Sequence, residues 1–278
     1  MAASALRHSA RLGGPDRPGP DGKGRYAAAA SLALAAVFAC SQARAGAWPV
    51  PAGETLAILK YEGSRADEYF DDAAARIPMD DRADDAISLY VERGLTDRLT
   101  FQGRAGWTRG EDGFADYAGR GPLELGLRYA LLRDDRSVLS LYLGGALAGD
   151  GRNAGYAAPG AGGADLEVRV LAGRSMAVAG RDGFLDVQLA RLNRAGLPDE
   201  THLDLTLGVE PSDRWLFLGQ VYAGQAEQSP VSPLWLKLEI SAVRRVGDWR
   251  LQAGWRQSVA GRESPLEGGP VFAVWRSF

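Results

Sequence analysis

Leu99-Thr-Phe-Gln-Gly-Arg-Ala-Gly-Trp107 puts Leu99, Phe101, Ala105 and Trp107 on one side and Thr100, Gln102 and Arg104 on the other. An extended strand sends successive side chains to opposite faces, so the segment reads as a strand with one apolar and one polar face. The same split recurs outward along the chain. Leu123, Leu125, Leu127, Tyr129 and Leu131 oppose Glu124 and Arg128, while Leu166, Val168 and Val170 oppose Glu167 and Arg169. Further on, Leu203, Leu205, Leu207 and Val209 oppose His202, Asp204 and Thr206, and Leu234, Leu236, Leu238 and Ile240 oppose Lys237 and Glu239. Twelve such segments are expected, at 54–63, 85–94, 98–108, 122–132, 137–147, 164–175, 183–193, 201–210, 214–224, 234–245, 248–258 and 269–278. Beyond residue 45 nothing changes to the 3.6-residue period of a helix, so one all-β domain is the economical reading.

A soluble β-sandwich alternates in the same way, and three features favour a transmembrane barrel over it. Most segments have the roughly 9 to 11 residues that a tilted strand needs to cross the hydrocarbon layer, whereas sandwich strands are nearer 5 to 6. Connections alternate between tight turns such as Thr96-Asp97, Asp134-Asp135-Arg136, Pro211-Ser212-Asp213 and Gly247 and longer Gly- and Asp-rich loops at 64–84, 109–121, 148–163 and 259–268. Short turns on the periplasmic side and long loops outside are the outer-membrane pattern. Tyr61, Trp107, Tyr129, Trp215, Trp235, Trp249, Trp255 and Trp275 gather near strand ends, where membrane interfaces favour aromatic rings. The expected fold is an up-and-down antiparallel β-barrel of about 12 strands. A mean hydropathy of −0.19 fits it, since half of every strand faces water.

Residues 1–45 read as a leader. The apolar run from Tyr26 to Ala39 follows positive charge and precedes Ala43-Arg44-Ala45, a small-x-small triplet that places cleavage after Ala45. The run is too short to anchor the chain as a helix. Residues 46–53 are then a periplasmic N-terminal segment and 54–278 the barrel. The only cysteine, Cys40, leaves with the leader, so no disulfide or thiolate serves the mature chain. Removing six basic and two acidic residues takes the formal charge from −3 to −7, and an acidic chain with no basic tract offers nucleic acid no footprint.

The last strand, Gly269-Pro-Val-Phe-Ala-Val-Trp-Arg-Ser-Phe278, resembles the closing strand of bacterial outer-membrane β-barrel proteins. In that family a terminal aromatic is read by the barrel-insertion machinery, which the resemblance makes a partner through Phe278 alongside outer-membrane lipid. Phe272 and Val274 keep the family's apolar register and Arg276 departs from it. Gly46-Ala-Trp-Pro-Val-Pro-Ala-Gly-Glu54 is similar to the mature start of channel-type barrels that include phenol-degradation-associated transporters. The resemblance implies a Gram-negative, porin-like protein located in the outer membrane.

The candidate lumen lining comprises Lys60, Glu62, Glu92, Arg104, Glu124, Arg128, Glu167, Arg169, Asp186, His202, Asp204, Lys237, Glu239, Arg250 and Arg256. Mixed charge admits two readings, a salt-bridged and largely plugged structural barrel or a narrow channel for small polar solutes; the channel is the leading expectation. An outer-membrane lipid hydrolase is the rival from another class. It needs a general base, and the one mature histidine, His202, with Asp204 on the same face, has no evident serine nucleophile, so neither catalysis nor a cofactor is expected. One histidine without cysteine gives no zinc site, and Asp67-Glu68-Tyr69-Phe70-Asp71-Asp72 lacks EF-hand spacing and reads as a solvated loop.

Overall fold

The computed structural model describes residues 46–278; the leader, its cleavage site and Cys40 lie outside the described residues. Among the described residues every regular element is a strand. In chain order they are β1 (Thr55–Phe70), β2 (Arg76–Gly94), β3 (Leu99–Glu111), β4 (Asp116–Arg120), β5 (Leu123–Arg133), β6 (Ser137–Leu147) and β7 (Ala164–Val178). There follow β8 (Arg181–Arg194), β9 (Glu200–Ser212), β10 (Trp215–Ala226), β11 (Leu234–Val246), β12 (Trp249–Arg262), β13 (Ser264–Pro265) and β14 (Gly268–Ser277). Twelve of them form one up-and-down antiparallel sheet, with β4 a short addition to β3 and β13 a short addition to β1. The sheet closes on itself because β1 pairs on both sides: Leu56 stands opposite Glu92 of β2 and opposite Ser277 of β14. Thr55 and Phe278 complete the seam with reciprocal main-chain hydrogen bonds. Closure removes the unpaired sheet edges that a bilayer would not tolerate.

Registry turns the sequence alternation into two surfaces. Leu59, Leu125, Leu143, Leu189 and Ile240 stand on the outside and are exposed, Ile240 by 74 %. Their strand neighbours on the opposite face, such as Arg128 and Val243, are buried. A barrel that exposes a belt of Leu, Ile and Val while burying Arg and Glu is inside-out relative to a water-soluble protein, and lipid is the solvent that makes this favourable.

The turns at one end are tight. Asp134 accepts hydrogen bonds from the backbone N–H groups of Arg136 and Ser137, which hold its carboxyl below the usual carboxylate range. Ala179 and Gly180, both at positive φ, make the two-residue link between β7 and β8.

At the other end the strands overshoot expectation. The stretch 64–84 is not a loop: β1 and β2 stay paired up to Phe70 and Arg76, and Asp71 caps the tip by accepting the N–H groups of Ala73 and Ala75. β3 and β12 likewise continue to Glu111 and Arg262. Beyond the bilayer both faces are polar, so main-chain pairing persists where no apolar stripe marks it.

The aromatic expectation divides. Trp107, Trp249 and Trp255 are exposed on the outside, but Trp275 is buried and Trp235 shares the inward parity of Lys237 and Glu239. With Phe272 outward at 51 % exposure, strict alternation drives Trp275 inward.

Candidate functional site

The lumen is built in three levels, and the one nearest the turns is filled. Residues 46–51 do not stay outside the barrel: they run up into it from the rim, where Gly53 donates to the Gly94 carbonyl. Ala47 and Trp48 are buried among Val138, Leu171, Phe184, Leu216, Val243 and Trp275. Trp48 meets Phe184 edge to face at 6.0 Å, and Gly173 leaves the space that its ring occupies, since a Cβ there would lie 2.6 Å from it. Polar groups fix the backbone of the segment. Arg128 donates to the carbonyls of Gly46 and Trp48, Ser140 Oγ donates to the Ala47 carbonyl at 2.7 Å, and the Ala47 N–H donates to Asp186 Oδ2 at 2.6 Å. The Val50 N–H donates to Thr100 Oγ1 at 3.1 Å. A stretch with no secondary structure is tolerable inside a barrel only if its polar backbone is satisfied, and these wall side chains do that.

Above the segment the wall is charged. Glu92, fully buried, accepts from Arg128 at 2.7 Å, from Tyr90 Oη at 2.6 Å and from Gln102 Nε2 at 2.7 Å. Arg104 pairs with Glu124 at 2.8 Å, Lys60 with Glu62 at 3.1 Å, and Arg169 with Glu167 at 2.5 Å and Asp204 at 3.9 Å. Arg256 bridges Glu62 and Glu239, each at 2.7 Å, and lies 4.5 Å from the centre of the Tyr222 ring.

Two cavities open at this level. One of about 220 Å³ is lined by Arg104, Glu124, Arg128, Glu167 and Arg169 with Tyr90 and Tyr142; the other, of about 200 Å³, by Lys60, Asp186, Thr206, Gln220 and Tyr222 with apolar residues below. Gly46 lines both, so the end of the N-terminal segment stands between them.

At the loop end, residues 148–163 are tied across the mouth. Tyr156 Oη donates to Glu200 Oε1 at 2.5 Å, and Arg82 donates to the Gly155 carbonyl at 2.7 Å. Burial, and then the hydrogen bond to Glu200, raise the Tyr156 phenol above its ordinary pKa. Glu200 also pairs with Arg194, which reaches Asp165 at 2.9 Å. His202 Nε2 lies 2.6 Å from Glu200 Oε2, so its partner is Glu200 and not Asp204, and its ring stands edge-on to Trp235. Lys237 pairs with Glu267 near the same rim.

The registers of β1 to β14 put Lys60, Glu62, Glu92, Arg104, Glu124, Arg128, Glu167, Arg169, Asp186, His202, Asp204, Lys237, Glu239, Arg250 and Arg256 on one face of the sheet, opposite the exposed apolar belt. They do not form one site. Arg104, Glu124, Arg128, Glu167 and Arg169 meet around the larger cavity, His202 and Lys237 belong to the loop-side mouth, and Arg250 lies toward the turns. Sequence reasoning missed Tyr90, Gln102, Tyr142, Gln188 and Tyr222, which line the cavities between the charges. Counting in twos from Glu92, Arg104 and Asp186 finds Tyr90, Gln102 and Gln188; Tyr142 and Tyr222 lie on β6 and β10, which carry no charge, and follow only from the outward residues beside them. It also missed the segment carrying Trp48, whose only signal is a large ring flanked by Pro just ahead of the first strand.

Comparison with known proteins bears on the fold. No protein-family profile and no curated protein matches the chain. Among solved structures, an outer-membrane channel from Pseudomonas putida F1 superposes with a TM-score of 0.69 at 13 % identity, covering 84 % of this chain and 99 % of that one. The translocator domain of the autotransporter NalP from Neisseria meningitidis superposes with a TM-score of 0.50 at 10 % identity, covering 93 % of this chain and 98 % of that one. The chain is a closed twelve-strand barrel of the bacterial outer-membrane kind.

Proposed function

We propose that the protein is a narrow outer-membrane channel for small polar solutes, held shut at its turn-side end by residues 46–51. The observation that carries this reading is the position of Gly46 against both a polar-walled cavity of about 220 Å³ and a second, of about 200 Å³, with polar groups above and apolar residues below. Withdrawal of the segment joins these spaces and continues them toward the turn-side rim. Cavities this size fall below the roughly 300 to 1,000 Å³ of sites for drug-sized ligands, so the passage suits ions and small metabolites. Balanced, paired charges suit zwitterions and neutral polar molecules better than solutes of one strong charge, since no single sign dominates the wall. The large apolar set around Trp48 favours a second state, a barrel that stays plugged until something displaces the segment.

The test is flux into liposomes carrying protein purified from outer membranes, with glycine, glucose and arginine as solutes. Uptake above protein-free liposomes is expected, and uptake of none of them, even after Arg128→Ala frees the segment, would reject the channel. A partnership between the exposed Phe278 at the end of β14 and the barrel-insertion machinery belongs to the same reading. Deletion of Phe278 is expected to lower the amount of folded protein in the outer membrane, and an unchanged amount would remove that partner.

A further inference from the structure

Asp186 differs from the other deeply buried carboxylates of the lumen. Glu92 and Glu239, equally out of reach of solvent, hold Arg128 and Arg256. Asp186 is only 2 % exposed and accepts hydrogen bonds from the Ala47 N–H and from Gln188 Nε2, each at 2.6 Å, but among the described residues no cation lies within ion-pair distance of it. A carboxylate taken out of water costs more than neutral hydrogen bonds return unless a counter-ion accompanies it.

What lies against Asp186 is Gly46. A Cβ on Gly46 would sit 2.5 Å from Asp186 Oδ2 and 3.0 Å from Oδ1, so the carboxylate is seated on the glycine Cα. Gly46 also has φ +104, which glycine alone adopts without strain. In the sequence Ala43-Arg44-Ala45, the small-x-small triplet, ends immediately before it.

The geometry points to a processing-dependent site: the α-ammonium group released on Gly46 by leader cleavage is the counter-ion of Asp186, and it locks residues 46–51 in the lumen. Hydrolysis of the bond between Ala45 and Gly46 consumes one water, leaves Ala45 as a carboxylate, and leaves Gly46 as an amine that takes up a proton. Before cleavage the same nitrogen is a neutral amide and supplies no charge to Asp186. The plug therefore seats firmly only in the mature chain, and precursor and mature barrel differ in closure although their walls are the same. This rests on residues 46–51 acting as the occluding segment, but its test does not need the barrel to conduct.

Protein purified from outer membranes is weighed intact and then exposed at neutral pH to a water-soluble succinimidyl ester, with acylation followed by peptide mass spectrometry. Lys60 and Lys237, the only lysines after Ala45, are internal references. A mass beginning at Gly46 is expected, and any other start overturns the inference. The Gly46 amine is expected to react at least tenfold more slowly in the native protein than in Asp186→Asn, where the amide oxygen still accepts from Ala47 while the charge and the hydrogen bond from Gln188 are lost; equal rates overturn it. Should Asp186→Asn yield no folded barrel, a synthetic peptide of residues 46–53 is the reference. The native amine is then expected to react at least tenfold more slowly and to titrate at higher pH than the peptide's, and matching curves overturn the inference.

Discussion

The two ends of the lumen are closed by different physics. On the turn side Trp48, Phe184, Leu216, Val243 and Trp275 exclude water by packing, and the chain supplies its own stopper. On the loop side Tyr156, Arg194, Glu200, Arg82 and Asp84 tie one loop across the mouth with charge-assisted hydrogen bonds. Apolar packing is lost all at once when its central ring leaves, whereas the outer tie is a set of directed bonds that can be removed one at a time; Arg194 and Glu200 are only 5 % and 4 % exposed, so salt screens their pair little. The barrel thus has an inner closure held by one packed ring and an outer one held by several separate buried bonds, with the cavities between them.

The largest effect is expected where the inner closure is anchored. Arg128→Ala leaves Glu92 buried without its partner and frees the carbonyls of Gly46 and Trp48; breaking a buried pair from one side costs about 3–5 kcal/mol. The folded band on unheated gels is expected to disappear at a clearly lower temperature. Arg128→Met combined with Glu92→Gln removes both charges and is expected to restore heat resistance while leaving the segment open to protease. Equal damage in the double variant would break the comparison, because the pair would then not be the anchor.

Next is the level between the closures. Arg104→Glu with Arg169→Glu adds negative charge to the larger cavity and is expected to shift the reversal potential in a salt gradient toward cations, by roughly severalfold in permeability ratio. No shift would mean that ions bypass that cavity.

Smaller again is the outer tie. Tyr156→Phe removes the hydrogen bond to Glu200, worth about 1.5–3 kcal/mol to a charged acceptor. Proteolysis within 148–163 is expected to accelerate with the barrel's heat resistance unchanged. A loss of heat resistance would show that the outer tie supports the wall as well.

The smallest effect belongs to the surface pair of half-exposed Arg191 and exposed Glu227, bonded at 2.5 and 2.9 Å. The hydrogen bond from Arg191 holds the Glu227 carboxyl below the ordinary glutamate value. Its contribution is therefore complete above that value, about 4.3, and is lost as pH falls through the lowered one. Arg191→Gln is expected to leave heat resistance unaltered at neutral pH and to abolish any acid-dependent rise in cleavage near residue 227. A marked change at neutral pH would mean that surface pairs matter here more than their exposure allows.

Much of this architecture was legible because alternation is a backbone property. With Leu125 and Leu127 on the exposed face, Glu124 and Arg128 fall on the other, and the strand registers put the remaining candidate residues on that same face. Legibility failed where period two carries no contrast. The upper parts of β1 and β2 are polar on both faces, so their pairing left no trace in hydropathy. Trp275 looked like an interface ring because its identity says nothing of its face, which Phe272 and Val274 decide. The stopper was hidden for another reason: residues 46–51 belong to no repeating element, and their place depends on Arg128, Ser140 and Asp186, far away in sequence and brought together by barrel closure.

The central claim is that the chain's own N-terminal segment closes a conducting barrel, and single-channel recording of the native protein beside Trp48→Ala tests it most directly. Removing a buried Trp side chain costs about 3–5 kcal/mol of packing, enough to unseat the segment while the wall remains paired. The account predicts small, infrequent steps for the native protein and frequent, severalfold larger ones for Trp48→Ala, both migrating as folded barrels before heating. Identical conductance from two folded barrels would contradict it.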